Sequence, residues 1–303
     1  MIVVCGIASE PPIAMVCAEL DRLGLAYVML HQRRFAHTRI DLEVVDGQLA
    51  GRLTVDGTSL SCAGVTGVYT RLMDWRQLPE VVGGGDDVAA HARQWHEVIS
   101  TWIEIHPGRV MNRAAATASN QSKPYQAQLI TQTGFLTPPT LITNVPDEVR
   151  AFKSQHGQVI YKSISGVRSI VRLLDDDALS RLARIRWCPV QFQRYLRGTN
   201  VRVHVVSGEV FATRITTDGV DYRYARRYGG RTDLTPWALP DELAQRCVHL
   251  AARLGLELAG IDLLLADDGG TYCFEVNPGP AFSFYEANTG QPIAHAIALA
   301  LSR

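Results

Sequence analysis

Gly260-Ile261-Asp262-Leu263-Leu264-Leu265-Ala266-Asp267-Asp268-Gly269-Gly270-Thr271-Tyr272-Cys273-Phe274-Glu275-Val276-Asn277 sets two apolar runs on either side of Asp-Asp-Gly-Gly. Asp-Gly between such runs is a strong short-range hairpin signal. With Asp268 and Gly269 as the turn, Asp267 pairs with Gly270, Ala266 with Thr271, and Asp262 falls opposite Glu275. Side chains alternate along a strand, so Asn277 shares a face with Glu275. The other face carries Ile261, Leu263, Leu265, Tyr272, Phe274 and Val276, all apolar, and is expected to be core. Opposed carboxylates on paired strands repel unless something positive sits between them, so removing either charge would relieve that repulsion. Asp262, Glu275 and the amide oxygen of Asn277 form a hard oxygen set. Such a set suits Mg²⁺, with Mn²⁺ as a substitute, and phosphate oxygens would complete the shell. A solvated strand face is the competing reading. The opposed pair with a third oxygen ligand favours the metal.

Composition narrows the rest. At 303 residues the chain can hold one large core or two to three smaller ones. Hydrophobic residues at 47% and charged residues at 20% are ordinary for a soluble globular protein. Thirty basic and thirty acidic residues cancel, which leaves no electrostatic footprint for nonspecific nucleic-acid or membrane binding. No apolar run reaches the roughly 20 residues that span a bilayer. The start, Met1-Ile2-Val3-Val4-Cys5-Gly6, reads as a strand rather than a signal peptide. The six cysteines (Cys5, Cys17, Cys62, Cys188, Cys247, Cys273) show no CxxC spacing, so free thiols in a reducing cytoplasm are expected. His91 and His96, five apart, do not share a helix face and are expected at the surface.

Along the chain, Met1–Gly6 reads as a strand and Ser9 as an N-cap before Pro11 and Pro12. Ile13, Val16, Cys17, Leu20 and Leu23 then recur at helical spacing until Gly24, and Ala26–Leu30 is the next strand. Gly6 stands alone without a GxGxxG, so this β-α-β start does not support a dinucleotide site. Short strands follow at 42–45, 49–55 and 67–70, then a helix containing Trp95, Ile99, Trp102 and Ile103. A second unit begins near Val110-Met111-Asn112, with Ser122 capping a helix that has Pro124 in its first turn and Gly134 at its close. Val159-Ile160-Tyr161 is a strand ending in Lys162, before Ser163-Ile164-Ser165-Gly166-Val167-Arg168-Ser169. A third unit starts at Pro189–Leu196 and runs through strands at 201–206 and 210–213 and a helix with Leu243, Cys247, Leu250, Ala251 and Leu254.

Gly260-Ile261-Asp262 followed by Phe274-Glu275-Val276-Asn277-Pro278 resembles the metal-binding end of an ATP-grasp ligase. The continuation Phe282-Ser283-Phe284-Tyr285-Glu286-Ala287-Asn288-Thr289-Gly290-Gln291-Pro292-Ile293-Ala294 is similar to two branches. One contains the ribosomal-protein glutamate ligases, the other the graspetide maturases that make ester and amide macrocycles in ribosomal peptides. The resemblance implies an α+β ATP-grasp fold. It would have an N-terminal β-α-β (pre-ATP-grasp) domain over 1–110, a central lid over 111–188 and a C-terminal metal-binding domain over 189–303.

The same resemblance implies roles for individual residues. Lys162 matches the phosphate-binding lysine, and Ser165, Gly166 and Ser169 the loop whose backbone N–H groups approach phosphate oxygens. That loop is richer in glycine in the ribosomal-protein ligases, whereas here it holds Val167 and Arg168. Lys123, at a helix entry, resembles an earlier nucleotide-contacting lysine. Gln193, Arg194, Tyr195 and Leu196 match the linker whose main chain binds the adenine edge, with Arg194 standing where an acid is usual. Asn200, also at an acidic position of the family, is suited to a ribose hydroxyl. Arg202 matches a phosphate-side arginine, and Asp221-Tyr222-Arg223 resembles the Asp-Trp-Arg segment of the maturases, so Arg202 and Arg223 are the candidate catalytic residues. An arginine fork neutralises charge building on a transferring phosphoryl group. Arg226, Arg227 and Arg231 form either a solvated face or a contact for an acidic substrate.

The activity implied is ATP-dependent joining of a carboxylate to an amine or hydroxyl through an acyl phosphate, with ATP and Mg²⁺ required. Acidic side chains of a ribosomal peptide or protein are the expected substrate, and a homo-oligomer stays open. Joining free amino acids, adding glutamate, or binding nucleotide without catalysis are the alternatives.

Overall fold

The computed structural model describes residues 1–164, 171–217 and 232–303. Ile2–Gly6 is buried along its whole length. Both faces of a parallel sheet are covered by helices, which is why its strand reads as an unbroken apolar run. Alternation divides that run: Ile2 and Val4 join one core with Ile13, Val16 and Leu20, while Val3 and Cys5 join another with Trp95, Ile99 and Trp102. The sheet is all parallel in the order Tyr27–His31, Ile2–Gly6, Gly67–Thr70, Arg109–Met111. The first helix, Pro11–Arg22, has Glu10 rather than the expected Ser9 at its N-cap position, and the Glu10 side chain makes no capping bond. An antiparallel sheet of Thr38–Val45, Gln48–Val55 and Thr58–Ser61 lies beside it.

The middle sheet runs Arg172–Leu173, Val159–Lys162, Val190–Arg194, Thr140–Thr143. Val190–Arg194, read from sequence as the opening of the third unit, pairs antiparallel with strands on both sides here. The last sheet has the order Thr232–Trp237, Glu209–Thr217, Gly198–Val206, Leu258–Ala266, Thr271–Asn277, antiparallel throughout. Asp241–Arg253 covers one face with Leu243, Cys247, Leu250 and Ala251.

The C-terminal helix Ile293–Ser302 returns to the N-terminal sheet, packing Ile293, Ile297 and Leu301 with Ile2, Val4 and Val16. Carbonyls at a helix end need outside partners. Arg109 Nη1 donates to the Ala300 carbonyl at 2.5 Å, and Thr66 Oγ1 to that of Leu301 at 3.2 Å. Gly67 permits this approach, since a Cβ there would sit 2.5 Å from the Leu301 oxygen. Of the six cysteines, all unpaired, Cys5, Cys62, Cys247 and Cys273 are buried, Cys17 is half-buried and Cys188 is exposed. No helix among the described residues is long and apolar enough to cross a membrane.

Candidate active site

The hairpin brings Asp262 opposite Glu275, by a route that differs from the expected one. Leu265 pairs with Thr271, Leu264 with Tyr272 and Leu263 with Cys273, so Ala266 does not pair with Thr271. The turn is longer by one residue: Gly269 N–H donates to Ala266 O at 2.9 Å, and Gly269 takes a left-handed φ of +84°. That is a three-residue connection closed by a glycine bulge. A second irregularity between Asp262 and Leu263 inserts Phe274 as an extra residue. It restores the register beyond it, with Ile261 opposite Val276 and Gly260 opposite Asn277. The two displacements cancel at the carboxylates. They also move Cys273 into the core beside Leu263 and Val276, and turn Phe274, expected in the core, toward a cleft.

That cleft, about 310 Å³, lies between the middle and last sheets. Lys162, Gln193, Arg194, Tyr195, Leu196, Asn200, Asp262 and Glu275, eight of the residues singled out from sequence, line it. Ile160, Val171, Ile215, Leu264 and Phe274 add apolar surface that the sequence reading did not identify. Strand alternation puts Ile160 and Lys162 on the cleft side, while Tyr161 between them packs against Phe192 with ring centroids 6.3 Å apart. Main-chain groups of the linker are partly committed: Arg194 N–H donates to Pro139 O at 3.0 Å and Tyr195 N–H to Gln158 O at 2.9 Å. The Gln193 side chain donates to Thr140 Oγ1 at 3.0 Å.

Each hairpin carboxylate already has a cation. Lys123 Nζ donates to Glu275 Oε2. Arg202 Nη1 donates to Asp262 Oδ1 at 2.7 Å. Repulsion across the strand pair is thereby answered inside the protein, contrary to the expectation that removing one charge would relieve it. Lys123 opens the helix Lys123–Thr131, which follows Ser122 as expected, although the Ser122 side chain makes no capping bond. The helix is fixed to the hairpin by Gln126, 2% exposed, whose Nε2 donates to Val276 O while its Oε1 accepts from Val276 N–H, both at 2.9 Å. Lys123 sits one turn earlier on the same helix.

Arg202, 5% exposed, does not line the cleft. It lies behind Asp262, with its Cζ 5.6 Å from the centre of the Tyr285 ring. Gly260 makes room for it, because a Cβ at that position would sit 2.2 Å from Arg202 Nη2 and 2.8 Å from Pro280 Cβ. Gly260→Ala is therefore expected to push the guanidinium off Asp262, costing about 1–3 kcal/mol of stability and lowering turnover, as read by denaturant unfolding and steady-state rates.

Asp262 and Glu275 fit a divalent cation: hard oxygens, opposed, at the cleft wall. Asn277 stands two residues beyond Glu275 on the same strand, opposite Gly260. Its Oδ1 accepts from Gly279 N–H at 2.9 Å and it does not line the cleft. Among the described residues no group of three or more His, Cys, Asp or Glu side chains is placed to hold a metal, and the acids at this cleft wall are the two carboxylates of Asp262 and Glu275. Ser165, Gly166, Ser169 and Arg223, with Arg168, Arg226, Arg227 and Arg231, lie outside the described residues.

A second cavity, about 760 Å³, opens at the carboxyl ends of the N-terminal parallel strands. Ile7, Ser9 and Glu10 follow one strand, and Arg71, Leu72 and Met73 follow its neighbour. Those two strands leave in opposite directions across the sheet, which makes the crevice between them a topological switch point where ligands bind in open α/β sheets. Pro278 and Gly279, just past the hairpin, close its other side. Arg71 ties the walls together, with Nε donating to Glu10 at 2.8 Å and Nη1 to the Gly279 and Pro280 carbonyls at 3.2 Å. His96 is half-buried and lines this cavity, a departure from the surface position expected.

Burial lowers the pKa of His96 and His106, and takes His204 well below its usual value with the Arg202 charge acting in the same direction. Neither ring nitrogen of His204 has a hydrogen-bond partner among the described residues, and its ring meets Tyr285 edge-on at 4.9 Å. Since the unfolded chain binds more protons below the ordinary histidine value of 6.5, stability should be full above it and fall as pH drops through it. Thermal melts across that range should show the loss, and His204→Phe should flatten part of it.

A family model described as RimK-like ATP-grasp domain matches residues 119–301. The chain belongs to the RimK-like ATP-grasp family. A probable alpha-L-glutamate ligase of Aliivibrio salmonicida is 26% identical over 205 residues, 63% of this chain and 65% of that one. The chain thus matches just under two thirds of that relative's length. The ATP-grasp ligase PsnB, solved with a phosphomimetic variant of a minimal precursor, Mg and ADP, is 27% identical, with TM-score 0.79 over 99% of this chain and 97% of that one. The macrocyclase MdnC of Microcystis aeruginosa MRC, solved with the precursor peptide MdnA, is 23% identical with TM-score 0.80 over 100% and 99%. This likeness shows the ATP-grasp fold over the whole chain.

Proposed function

We propose that this RimK-like chain is an ATP-dependent ligase that joins a carboxylate to an amine or hydroxyl through an acyl phosphate. The substrate proposed is a ribosomal peptide or protein with acidic side chains. The observation that carries the reading is the Asp262–Glu275 pair on the wall of a cleft that Lys162 also lines. PsnB, solved with a precursor, Mg and ADP, supports the peptide class.

In this reading Ile160, Val171, Leu264 and Phe274 hold the purine, and groups of Gln193–Leu196 left over from internal bonding meet its edge. Asn200 takes a ribose hydroxyl and Lys162 and Lys123 take phosphate oxygens. Mg²⁺, when bound by Asp262 and Glu275, neutralises phosphate charge and aligns the transferring group. Arg202 orients Asp262 in the arrangement seen. Positioning and charge neutralisation carry chemistry of this class without a protein nucleophile. The cavity at the switch point receives the peptide segment that supplies the reacting side chains. The proposed enzyme has three units, 1–110, 111–188 and 189–303, with Val190–Arg194 bonded into the middle sheet and Ile293–Ser302 packed on the first.

The names of the curated relatives favour a second reading, addition of glutamate. Phosphate release should be slow with ATP alone and rise sharply with the right acidic peptide, giving ADP. Release of AMP would sink both readings, and stimulation by free glutamate with no response to peptide would favour the second.

A further inference from the structure

The two carboxylates of the candidate metal site are not waiting as an open pair. Glu275 holds the Lys123 ammonium and Asp262 holds the Arg202 guanidinium, so the four side chains carry no net charge. The contacts are shielded: exposures are 18% and 22% for the Lys123–Glu275 side chains, and 6% and 22% for Arg202–Asp262. The two cations differ in how they can move. Arg202 is walled in by Tyr285, Pro280 and the strand beneath it. Lys123 stands on the first turn of its helix, where the positive end of the helix dipole disfavours an ammonium. An anion offsets that cost, and Glu275 is the one Lys123 contacts among the described residues. The Gln126 clamp on Val276 holds helix and strand in the spacing that keeps this contact.

We infer that Lys123 occupies the metal position in the nucleotide-free protein and makes divalent-cation binding conditional on the nucleotide. A lone Mg²⁺ would meet a neutral cluster with an ammonium in contact with one of its ligands. A triphosphate supplies a competing anion for that ammonium, releases Glu275 to the metal and contributes oxygens of its own. Metal and nucleotide are then coupled, and the coupling is reciprocal: each tightens the other by the same factor. The inference rests on the nucleotide-site reading above and adds an order to it, with the metal entering only together with the triphosphate.

Equilibrium dialysis with Mn²⁺, in the presence and absence of a nonhydrolysable ATP analogue, tests this without any turnover. The wild-type chain should retain Mn²⁺ at least about tenfold more tightly with the analogue than without it. Lys123→Met, which keeps the apolar stem and removes the charge, should bind Mn²⁺ without nucleotide, and adding Glu275→Gln should abolish that binding. Equal wild-type Mn²⁺ affinity with and without the analogue would overturn the inference, as would a folded Lys123→Met no tighter for nucleotide-free Mn²⁺ than wild type. Should circular dichroism show that Lys123→Met does not fold, Lys123→Gln, which also removes the charge, is measured in its place with the same two outcomes. Failure of the wild type to bind Mn²⁺ even with the analogue would instead remove the nucleotide-site reading itself.

Discussion

Glu275→Gln and Asp262→Asn should each lower ATP turnover at saturating Mg²⁺ by at least about a hundredfold, since each removes a charge aimed at the phosphates. Their effects on stability should diverge from a simple relief of repulsion. Asp262 faces Arg202, which is 5% exposed and walled by Tyr285 and Pro280, so truncating the acid takes the Nη1 acceptor away from a buried cation. Breaking a buried pair in this way costs about 3–5 kcal/mol. Asp262→Ala should approach that figure and Asp262→Asn, which can still accept a hydrogen bond, should cost less. Glu275→Gln leaves the Lys123 ammonium nearer solvent, and its stability cost should be the smaller of the two. Denaturant midpoints beside turnover rates separate the two effects. Wild-type turnover in both variants would remove the hairpin from the mechanism.

Lys162→Ala should weaken binding of a nonhydrolysable MgATP analogue by about ten- to a hundredfold. The figure follows from losing a hydrogen bond to a charged group, about 1.5–3 kcal/mol. Lys162 ends the strand Val159–Lys162, pairs in register with Gln191 and lines the cleft with Glu275. Its neighbour Tyr161 faces the other way onto Phe192 within the core of the middle unit, so the substitution should leave that packing unchanged. Calorimetry showing unchanged affinity would return Lys162 to the status of a structural lysine.

Much of the site could be read from residue order because it is local. The Asp-Asp-Gly-Gly turn and the alternating runs around it place Asp262 opposite Glu275 whether or not the bulge is foreseen. The bulge itself could not be foreseen: the extra residue at Phe274 depends on how Cys273 and Val276 fill the core under the sheet. A strictly alternating pattern therefore assigns Phe274 to the wrong face. Lys162 and Gln193–Leu196 were legible as motifs at the ends of two strands that pair in the middle sheet. The partners of Lys123 and Arg202 were not, because Glu275 lies 152 residues from Lys123 and Asp262 lies 60 from Arg202. Contacts at such separations come from sheet order and helix docking, which no short window of sequence contains. The switch-point cavity is of the same kind. Its walls come from residues near 10, 71, 96, 112 and 279, and nothing in any one segment marks it.

The mass of a peptide after incubation with the chain, ATP and Mg²⁺ decides whether ligation takes place on it. An acidic precursor peptide should lose the mass of one water for each ester or amide closed within it, with ADP formed alongside. A peptide of unchanged mass despite ATP consumption, or one heavier by an amino-acid residue, would contradict the account.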